Sequence, residues 1–288
     1  MPYDAAMLLT SLARGAAAQI LRLVPGSTAL RWKRDLRDKA WLDEADAVIV
    51  SFPKSGRTFV RAMVARLYQR HFGFDERKLL EFPNLRRSPA SVPKLLFTHG
   101  GDAMRRPSEI NVHPSDYAGK RVVLIARHPG DIAVSRYHHL KQRSRDKARQ
   151  RLAKQPLETF VWSDRGGIPS IISFLDHFAA LPGVTVVRYE DFLTDPRGTL
   201  RKLSEAIGLD ASHEDIADAV EFGSLPSLRK LEEKSYFTSS RLQRATKDKR
   251  SGKVRSGTSG GYREALGSDE AARIDAFVRE HLDPRVGY

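Results

Sequence analysis

The stretch that most constrains the fold is 46–70, where a short apolar run is followed by a tight turn and an amphipathic segment. Ala47–Phe52 is rich in β-branched residues and predicts a buried strand. Pro53–Gly56 has turn chemistry, and the apolar side chains after Arg57 recur at helical spacing. A strand, a Gly/Ser turn and a helix N-terminus together present backbone N–H groups and a positive dipole end to an anion. The stretch therefore predicts a phosphate-binding loop.

The side chains of this loop favour an anion other than a nucleoside triphosphate bound with magnesium. Lys54 adds a positive charge, and Ser55 and Thr58 add hydroxyl donors. The triphosphate loop has the form Gly-x-x-x-x-Gly-Lys-Ser/Thr, in which the hydroxyl after the lysine holds magnesium. Here the lysine precedes Gly56, which disfavours a small-molecule kinase. An ordinary basic turn before a helix is the alternative, but the flanking strand and helix favour an anion site.

Three further apolar runs predict strands, namely 94–99, Arg121–Arg127 and Val184–Tyr189, and helical patterns lie between them. This alternation predicts the α/β class: a P-loop-like, doubly wound parallel sheet flanked by helices, with ligands at the carboxyl ends of the strands. His99 ends the second predicted strand and is followed by two glycines. A lone histidine is more often structural, but this position is where open α/β sheets place ligand sites.

A second candidate anion site follows the third predicted strand. Arg127 ends that strand, and Ser135 lies eight residues later, in the second turn of the next predicted helix. Both side chains can therefore face one ligand above the carboxyl edge of the sheet.

The chain is predicted to form a single domain, 46–288, preceded by a helical extension, 1–45. Residues 5–25 have an amphipathic pattern, and packing on the domain is favoured over contact with a membrane surface. Residues 237–262 are basic and carry four glycines, which predicts a C-terminal lid. No run of 18 apolar residues is present, so no membrane span is predicted.

The charge of the chain raises the question of acidic partners. The formal net charge is +14, and the segments His138–Lys154 and Arg241–Arg255 each contain seven Lys/Arg and one Asp. Such basic segments suit nucleic acid, anionic lipid, an acidic glycan or a phosphorylated cofactor, or are simply solvated. His138–Lys154 has no aromatic side chain, which disfavours base stacking and hence nucleic acid. The absence of cysteine excludes thiolate metal sites and fits a cytoplasmic location.

Five motifs in this order resemble the cytosolic-type sulfotransferases, which use 3′-phosphoadenosine 5′-phosphosulfate (PAPS). The family's loop Tyr-Pro-Lys-Ser-Gly-Thr-Thr-Trp is similar to Phe52–Phe59, and its Arg-x-Pro-x-Asp-x-Ala-Val-Ser-x-Tyr to Arg127–Tyr137. Its Lys-Thr-His resembles Phe97–His99, its Tyr-Glu-Asp-(apolar) resembles Tyr189–Phe192, and its late Arg-Lys-Gly-x-x-Gly resembles Arg255–Gly260. The resemblance implies the sulfotransferase fold and sulfuryl transfer from PAPS without a metal.

The resemblance also implies roles for individual residues. His99 is expected to be the catalytic base, with Lys54 at the leaving phosphate and Ser135 at the 3′ phosphate, where it can also restrain the lysine. Cofactor binding is expected from the matched positions, which are Lys54, Ser55, Gly56, Arg57, Thr58, Phe59, Arg127, Ser135, Tyr189, Arg255, Ser256 and Gly257.

Four positions depart from the family's pattern. Arg57 replaces a threonine and Phe59 a tryptophan, although the backbone N–H of Arg57 and an aromatic ring remain. Phe97 replaces a lysine and removes a cation from the reacting centre, and Ser256 replaces a lysine of the late motif. These changes leave a catalytically impaired PAPS-binding homologue as an alternative.

The acceptor is expected to offer a hydroxyl or amine on a glycan, a lipid headgroup or a small molecule. The pairs Arg86–Arg87 and Arg105–Arg106, with the two basic segments, favour an acidic acceptor. The loops expected to form its pocket are 74–93, 100–117, 143–167 and 236–257. A purely nucleic-acid-binding or anionic-surface-binding protein is the remaining alternative, and nucleic acid is not an expected partner.

Overall fold

The computed structural model describes residues 36–143, 147–239 and 259–288. The chain divides into two compact units, Met1–Asp43 and Glu44–Tyr288. The described part of the first unit, residues 36–43, is helical. The predicted helix over 5–25 lies outside the described residues.

The second unit is built on a parallel sheet that has four strands within the described residues. They are β1 (Ala47–Ser51), β2 (Leu95–Thr98), β3 (Arg121–Ala126) and β4 (Thr185–Arg188), in the spatial order β2-β1-β3-β4. Each lies inside the apolar run that predicted it. The predicted α/β fold with a parallel sheet flanked by helices is confirmed.

The α-helices follow the strands in the alternation expected of this class. Their bounds are α1 Arg57–Phe72, α2 Phe82–Leu85, α3 Pro129–Arg143, α4 Lys147–Leu152, α5 Leu157–Val161, α6 Ile168–Ala179, α7 Asp191–Thr194, α8 Pro196–Ala206, α9 His213–Gly223, α10 Leu225–Glu233, α11 Gly261–Leu266 and α12 Ser268–His281. Side chains cap two of these helices, since Asp195 and Ser212 accept hydrogen bonds from backbone N–H groups in the first turns of α8 and α9.

Both faces of the sheet are buried, because successive strand residues point to opposite sides. Ala47, Ile49, Val123 and Ile125 belong to a core shared with residues of α1, α8 and α9. The intervening residues of β1 and β3, among them Val50 and Leu124, belong to a second core with residues of α3, α6 and α12. Strands covered on both sides must be apolar throughout, which explains their continuous rather than alternating hydrophobic runs.

The strand order positions the site. The chain passes from β1 outward to β2 on one side and then returns to β3 on the other side of β1. The connections that leave the carboxyl ends of β1 and β3 therefore run in opposite directions, which opens a crevice at this point. The turn Pro53–Gly56 follows the end of β1, and Arg127 follows the end of β3.

One loop expected to form the acceptor pocket contributes apolar residues to the interior. Segment 74–93 contains α2 and a short 3₁₀ helix, and its apolar residues Leu79, Leu80, Phe82 and Leu85 are buried. The sequence did not indicate this burial, because the apolar residues of an irregular segment recur with neither a helical nor a strand period.

Candidate active site

The turn after β1 has the backbone geometry of an anion-binding loop. Lys54 and Gly56 both have left-handed φ angles, 83° and 82°, and Gly56 caps α1. Such turns line a concavity with successive backbone N–H groups, and the first N–H groups of a helix have no acceptor within it. The hydroxyl of Ser55 is fully buried and has no hydrogen-bond partner among the residues that the structure describes. A buried donor without a partner costs free energy, so it fits a loop built to receive an anion.

Gly56 is required at its position for two reasons. Its φ of 82° is one that other residues rarely adopt. In addition, a Cβ atom here would lie 2.3 Å from Cδ2 of Tyr189, which is buried against the loop. Tyr189 thus packs directly on the backbone of Gly56, which leaves no space for a side chain at this position.

The left-handed conformation of Lys54 leads to a prediction about stability. A side chain in this region costs about 1–2 kcal/mol, which glycine avoids. We expect Lys54→Gly to be more stable than Lys54→Ala by about 1 kcal/mol, whereas both variants lose turnover together with the lysine charge. Urea unfolding of the two variants measures the difference. Equal stabilities would show that the left-handed conformation of Lys54 stores no strain.

His99 lies beyond the end of β2 and is held from two sides. Its Nδ1 lies 2.8 Å from the carbonyl oxygen of Ser51, and its Nε2 lies 2.5 Å from Nη2 of Arg57. A carbonyl oxygen only accepts, so Nδ1 carries the proton and Nε2 accepts from the guanidinium. The lone pair of Nε2 therefore points toward the guanidinium of Arg57, the first residue after the phosphate loop.

Arg127 connects the two predicted anion-binding elements. Its Nη1 donates to the carbonyl oxygen of Lys54 (3.1 Å), and its guanidinium lies 4.6 Å from the centre of the Tyr189 ring. Asp131 lies one turn later on α3 and forms an ion pair with Arg127 at 3.5 Å. The side chain of Arg127 is only 14% exposed, so its orientation is fixed before a ligand binds.

Asp131 also attaches the C-terminal part of the chain to this site. Its buried carboxylate accepts from the backbone N–H groups of Gly260 (2.8 Å) and Tyr262 (3.2 Å). Tyr262 stacks on His128 with 4.6 Å between ring centres. Burial lowers the pKa of His128, so its ring is neutral and its Nδ1 can accept from the N–H of Gly130. The C-terminal end of the predicted lid is therefore attached to Asp131, the ion-pair partner of Arg127.

The structure leaves the remaining part of the predicted lid untested. Arg255, Ser256 and Gly257 lie outside the described residues, as does the basic segment Arg241–Arg255. The described ends of the lid, Phe237 and Tyr262, are buried in the two cores.

An aromatic cluster covers the start of α1. The ring of Phe59 contacts those of Tyr189 and Phe192 edge-to-face, with centre distances of 6.2 and 5.9 Å. Phe59 is half-buried, so one part of its ring remains accessible for stacking. Thr58 and Ser135 are also half-buried, on α1 and α3.

The structure thus brings together Lys54, Gly56, Arg127 and Tyr189, and separately joins Arg57 to His99. The predicted roles of these residues remain predictions. Sequence reasoning valued Arg57 only for its backbone N–H and missed the contact of its side chain with His99. It also gave no signal for the carbonyl of Ser51, because any residue type supplies one.

The surroundings of Phe97 suit an aromatic side chain better than the lysine of the family's pattern. Phe97 is buried in β2, and the guanidinium of Arg61 lies 4.2 Å from the centre of its ring. A cation at this strand position would therefore face Arg61 rather than solvent.

Two further observations concern metal binding and membrane spans in the described part of the chain. Its His, Asp and Glu side chains form no group of three or more that could hold a metal ion. None of its helices has both the length and the apolar character to cross a membrane.

Comparison with known proteins identifies the family. The sequence matches the family described as the sulfotransferase domain over residues 44–284. The chain belongs to the sulfotransferase family. The predicted enzyme class, PAPS-dependent sulfotransferase, is thereby confirmed at the level of the family.

Individual relatives span most of this sulfotransferase. Cytosolic sulfotransferase 3 of Arabidopsis thaliana is 27% identical over 83% of this chain and 77% of its own length. The 3-alpha-hydroxysteroid sulfotransferase of Cavia porcellus is 24% identical over 88% of each chain.

Solved structures agree with this fold. The mouse sulfotransferase SULT7A1 complexed with PAP has a TM-score of 0.55 at 19% identity and covers 83% of this chain and 84% of its own. A retinol dehydratase in complex with androsterone and inactive cofactor PAP has a TM-score of 0.52 at 16% identity, with 85% and 84% covered.

Proposed function

We propose that this sulfotransferase uses His99 as the base that activates an acceptor hydroxyl. The observation that carries the proposal is the hydrogen-bond pattern of His99. Its Nδ1 donates to the carbonyl of Ser51, so Nε2 is the acceptor nitrogen, and it lies 2.5 Å from the guanidinium of Arg57, the residue that follows the anion-binding loop 53–56. An imidazole in this tautomer can take the proton of an acceptor that lies between the two groups.

The residues of the loop fit the 5′ end of PAPS. The buried Ser55 hydroxyl, the left-handed turn and the N-terminus of α1 suit a phosphate-like anion. When bound, PAPS supplies a sulfuryl group whose sulfur forms a bond to the acceptor oxygen while its bond to the phosphate oxygen breaks and leaves the electron pair on the phosphate. Lys54 and the N–H groups of the loop stabilise the negative charge that develops there. His99 receives the proton of the acceptor.

The 3′ phosphate is assigned to Arg127 and Ser135, with Arg255, Ser256 and Gly257 as further candidates. Arg127 can donate two parallel hydrogen bonds to a phosphate, which a lysine cannot do. Its ion pair with Asp131 and its contact with Lys54 support this role, because both orient the guanidinium near the loop. Phe59 and Tyr189 are proposed to flank the adenine.

Fewer observations support the proposed class of acceptor. Arg86 forms an ion pair with Glu44 at 2.6 Å and Arg106 one with Asp164 at 2.9 Å, so two of the four loop arginines already have carboxylate partners. Arg105 covers Gly101 beside His99, where an added Cβ would lie 2.2 Å from its Nη2. An acceptor with an acidic group near its hydroxyl, such as a glycan or lipid headgroup, is supported by Arg105 alone. We also propose that the reaction needs no metal and takes place in the cytoplasm. Contact of the N-terminal extension 1–45 with a membrane surface is a separate hypothesis.

Binding of 3′-phosphoadenosine 5′-phosphate (PAP), the product, tests the donor site directly. We expect calorimetry to give a micromolar Kd for PAP and far weaker binding of AMP, which lacks the 3′ phosphate. Equal or tighter binding of ATP would contradict the assignment and favour a kinase-like function. If PAP binds but no acceptor is ever sulfated, the chain is a catalytically impaired PAPS-binding homologue.

A further inference from the structure

The contact between Arg57 and His99 has a consequence for the reacting centre. Arg57 is the first residue of α1, directly after the anion-binding turn, and its side chain extends to His99 at the end of β2. Its Nη2 is 2.5 Å from Nε2 of His99. The lone pair that the proposed mechanism needs is therefore occupied by a permanent cation.

The position of this guanidinium is the position that a transferring group must reach. The donor's phosphate lies in the turn 53–56, and the acceptor oxygen must lie within hydrogen-bond distance of His99. The sulfuryl group is bonded to that phosphate and is attacked by that oxygen, so it lies between the turn and the histidine. Arg57 spans this gap, since its backbone begins the helix and its side chain ends at Nε2.

We propose that Arg57 is a catalytic residue that binds the sulfuryl oxygens of the donor, and that its guanidinium leaves Nε2 of His99 when the donor enters. The inference rests on the proposed function. In the ligand-free protein, Arg57 keeps His99 in the tautomer with the proton on Nδ1. In the loaded protein, the guanidinium turns to the sulfuryl group and Nε2 becomes available to the acceptor proton.

The exchange of partners is favourable for a guanidinium. The sulfuryl oxygens carry negative charge, whereas the imidazole is neutral, and the planar guanidinium can donate two parallel hydrogen bonds to a pair of such oxygens. The neutral imidazole offers a single lone pair. Arg57 keeps all of its protons throughout, so the acceptor proton still passes to His99 and the electron pair of the broken bond still stays on the phosphate.

This arrangement makes the base available only after the donor has entered. An acceptor that arrives first meets an imidazole whose Nε2 is already bonded to Arg57. The same guanidinium then places a positive charge beside the sulfuryl group. The buried Phe97, which replaces a lysine of the family's pattern, contributes no such charge. Arg57 thereby ensures that the donor binds before His99 can take the proton of the acceptor.

The affinities for PAPS and PAP separate this role from simple phosphate binding, because the two ligands differ only in the sulfuryl group. We expect Arg57→Met to weaken the binding of PAPS by about 10- to 100-fold, the range for lost hydrogen bonds to a charged group. The affinity for PAP should stay within about threefold. Calorimetry without acceptor measures both constants. The retained binding of PAP shows at the same time that the variant is folded.

Arg70→Met is the matched control. Arg70 lies in the last turn of the same helix and pairs with Asp215 at 2.5 Å. Its replacement should leave the ratio of the two affinities unchanged.

The outcomes that overturn the inference differ from those that overturn the proposed function. Equal weakening of PAPS and PAP by Arg57→Met, or no weakening of either, would show that Arg57 does not bind the sulfuryl group. Failure of the unaltered protein to bind PAP would instead refute the donor site itself, and the role of Arg57 with it.

Discussion

Replacement of His99 by alanine is expected to lower turnover by about 10²- to 10⁴-fold, the usual contribution of a general base. The affinity for PAP should change by no more than a few-fold, because two of the hydrogen-bond partners of His99, the side chain of Arg57 and the carbonyl of Ser51, lie outside the turn 53–56. Sulfate transfer from labelled PAPS to a panel of hydroxyl acceptors measures the first quantity, and calorimetry measures the second.

His213→Ala is the control for this variant. His213 is an exposed histidine and begins α9, which carries none of the proposed site residues. It should retain full turnover. Undiminished turnover in His99→Ala would mean that another group removes the acceptor proton, and a parallel loss of PAP binding would mean that the histidine holds the loop rather than the proton.

Replacement of Arg127 by alanine is expected to abolish the preference for a 3′ phosphate. Two charge-assisted hydrogen bonds to this group contribute enough that the affinity for PAP should fall by about 100-fold or more. The affinity for AMP, which has no 3′ phosphate, should fall only a few-fold. The affinity of Arg127→Lys for PAP should lie between those of the unaltered protein and Arg127→Ala, since a lysine keeps the charge but not the paired geometry.

Arg121→Ala provides the control on the same strand, because Arg121 begins β3 and is exposed at the opposite end from Arg127. It should bind PAP and AMP as the unaltered protein does. If Arg127→Ala bound PAP as tightly as before, the 3′ phosphate would have to lie elsewhere, and the late motif at Arg255–Gly260 would become the leading candidate.

The environment of Arg127 explains why this effect should be large. The side chain is almost fully enclosed, with Asp131, the ring of Tyr189 and the carbonyl of Lys54 around it. A guanidinium that is already oriented loses little conformational entropy on binding, so more of its interaction energy appears as affinity. An exposed arginine with the same partners would contribute less.

Much of the fold could be predicted because its signals are local. The runs that predicted β1, β3 and α1 are short stretches in which period and composition agree, and the structure places the elements within two residues of them. The caps Asp195 and Ser212 act on N–H groups only three residues away. The motifs at Phe52–Phe59 and Arg127–Tyr137 pointed to the correct family for the same reason.

Segment 74–93 could not be predicted in this way. Its buried leucines follow neither a helical nor a strand period, so only the cores on which they pack reveal that they are interior. The structure therefore shows that part of this segment belongs to the core, and its role in an acceptor pocket stays a prediction.

The sequence by itself determined the α/β class, the anion-binding turn after β1, the candidate base His99 and the enzyme family. Only the tertiary structure decided which side chains meet. Arg57 and His99 are 42 residues apart, and Asp131 and Gly260 are 129 apart. Such pairs depend on the order and register of β2, β1 and β3, which place distant strand ends side by side. Because register arises from packing across the whole sheet, no local pattern in the chain contains it.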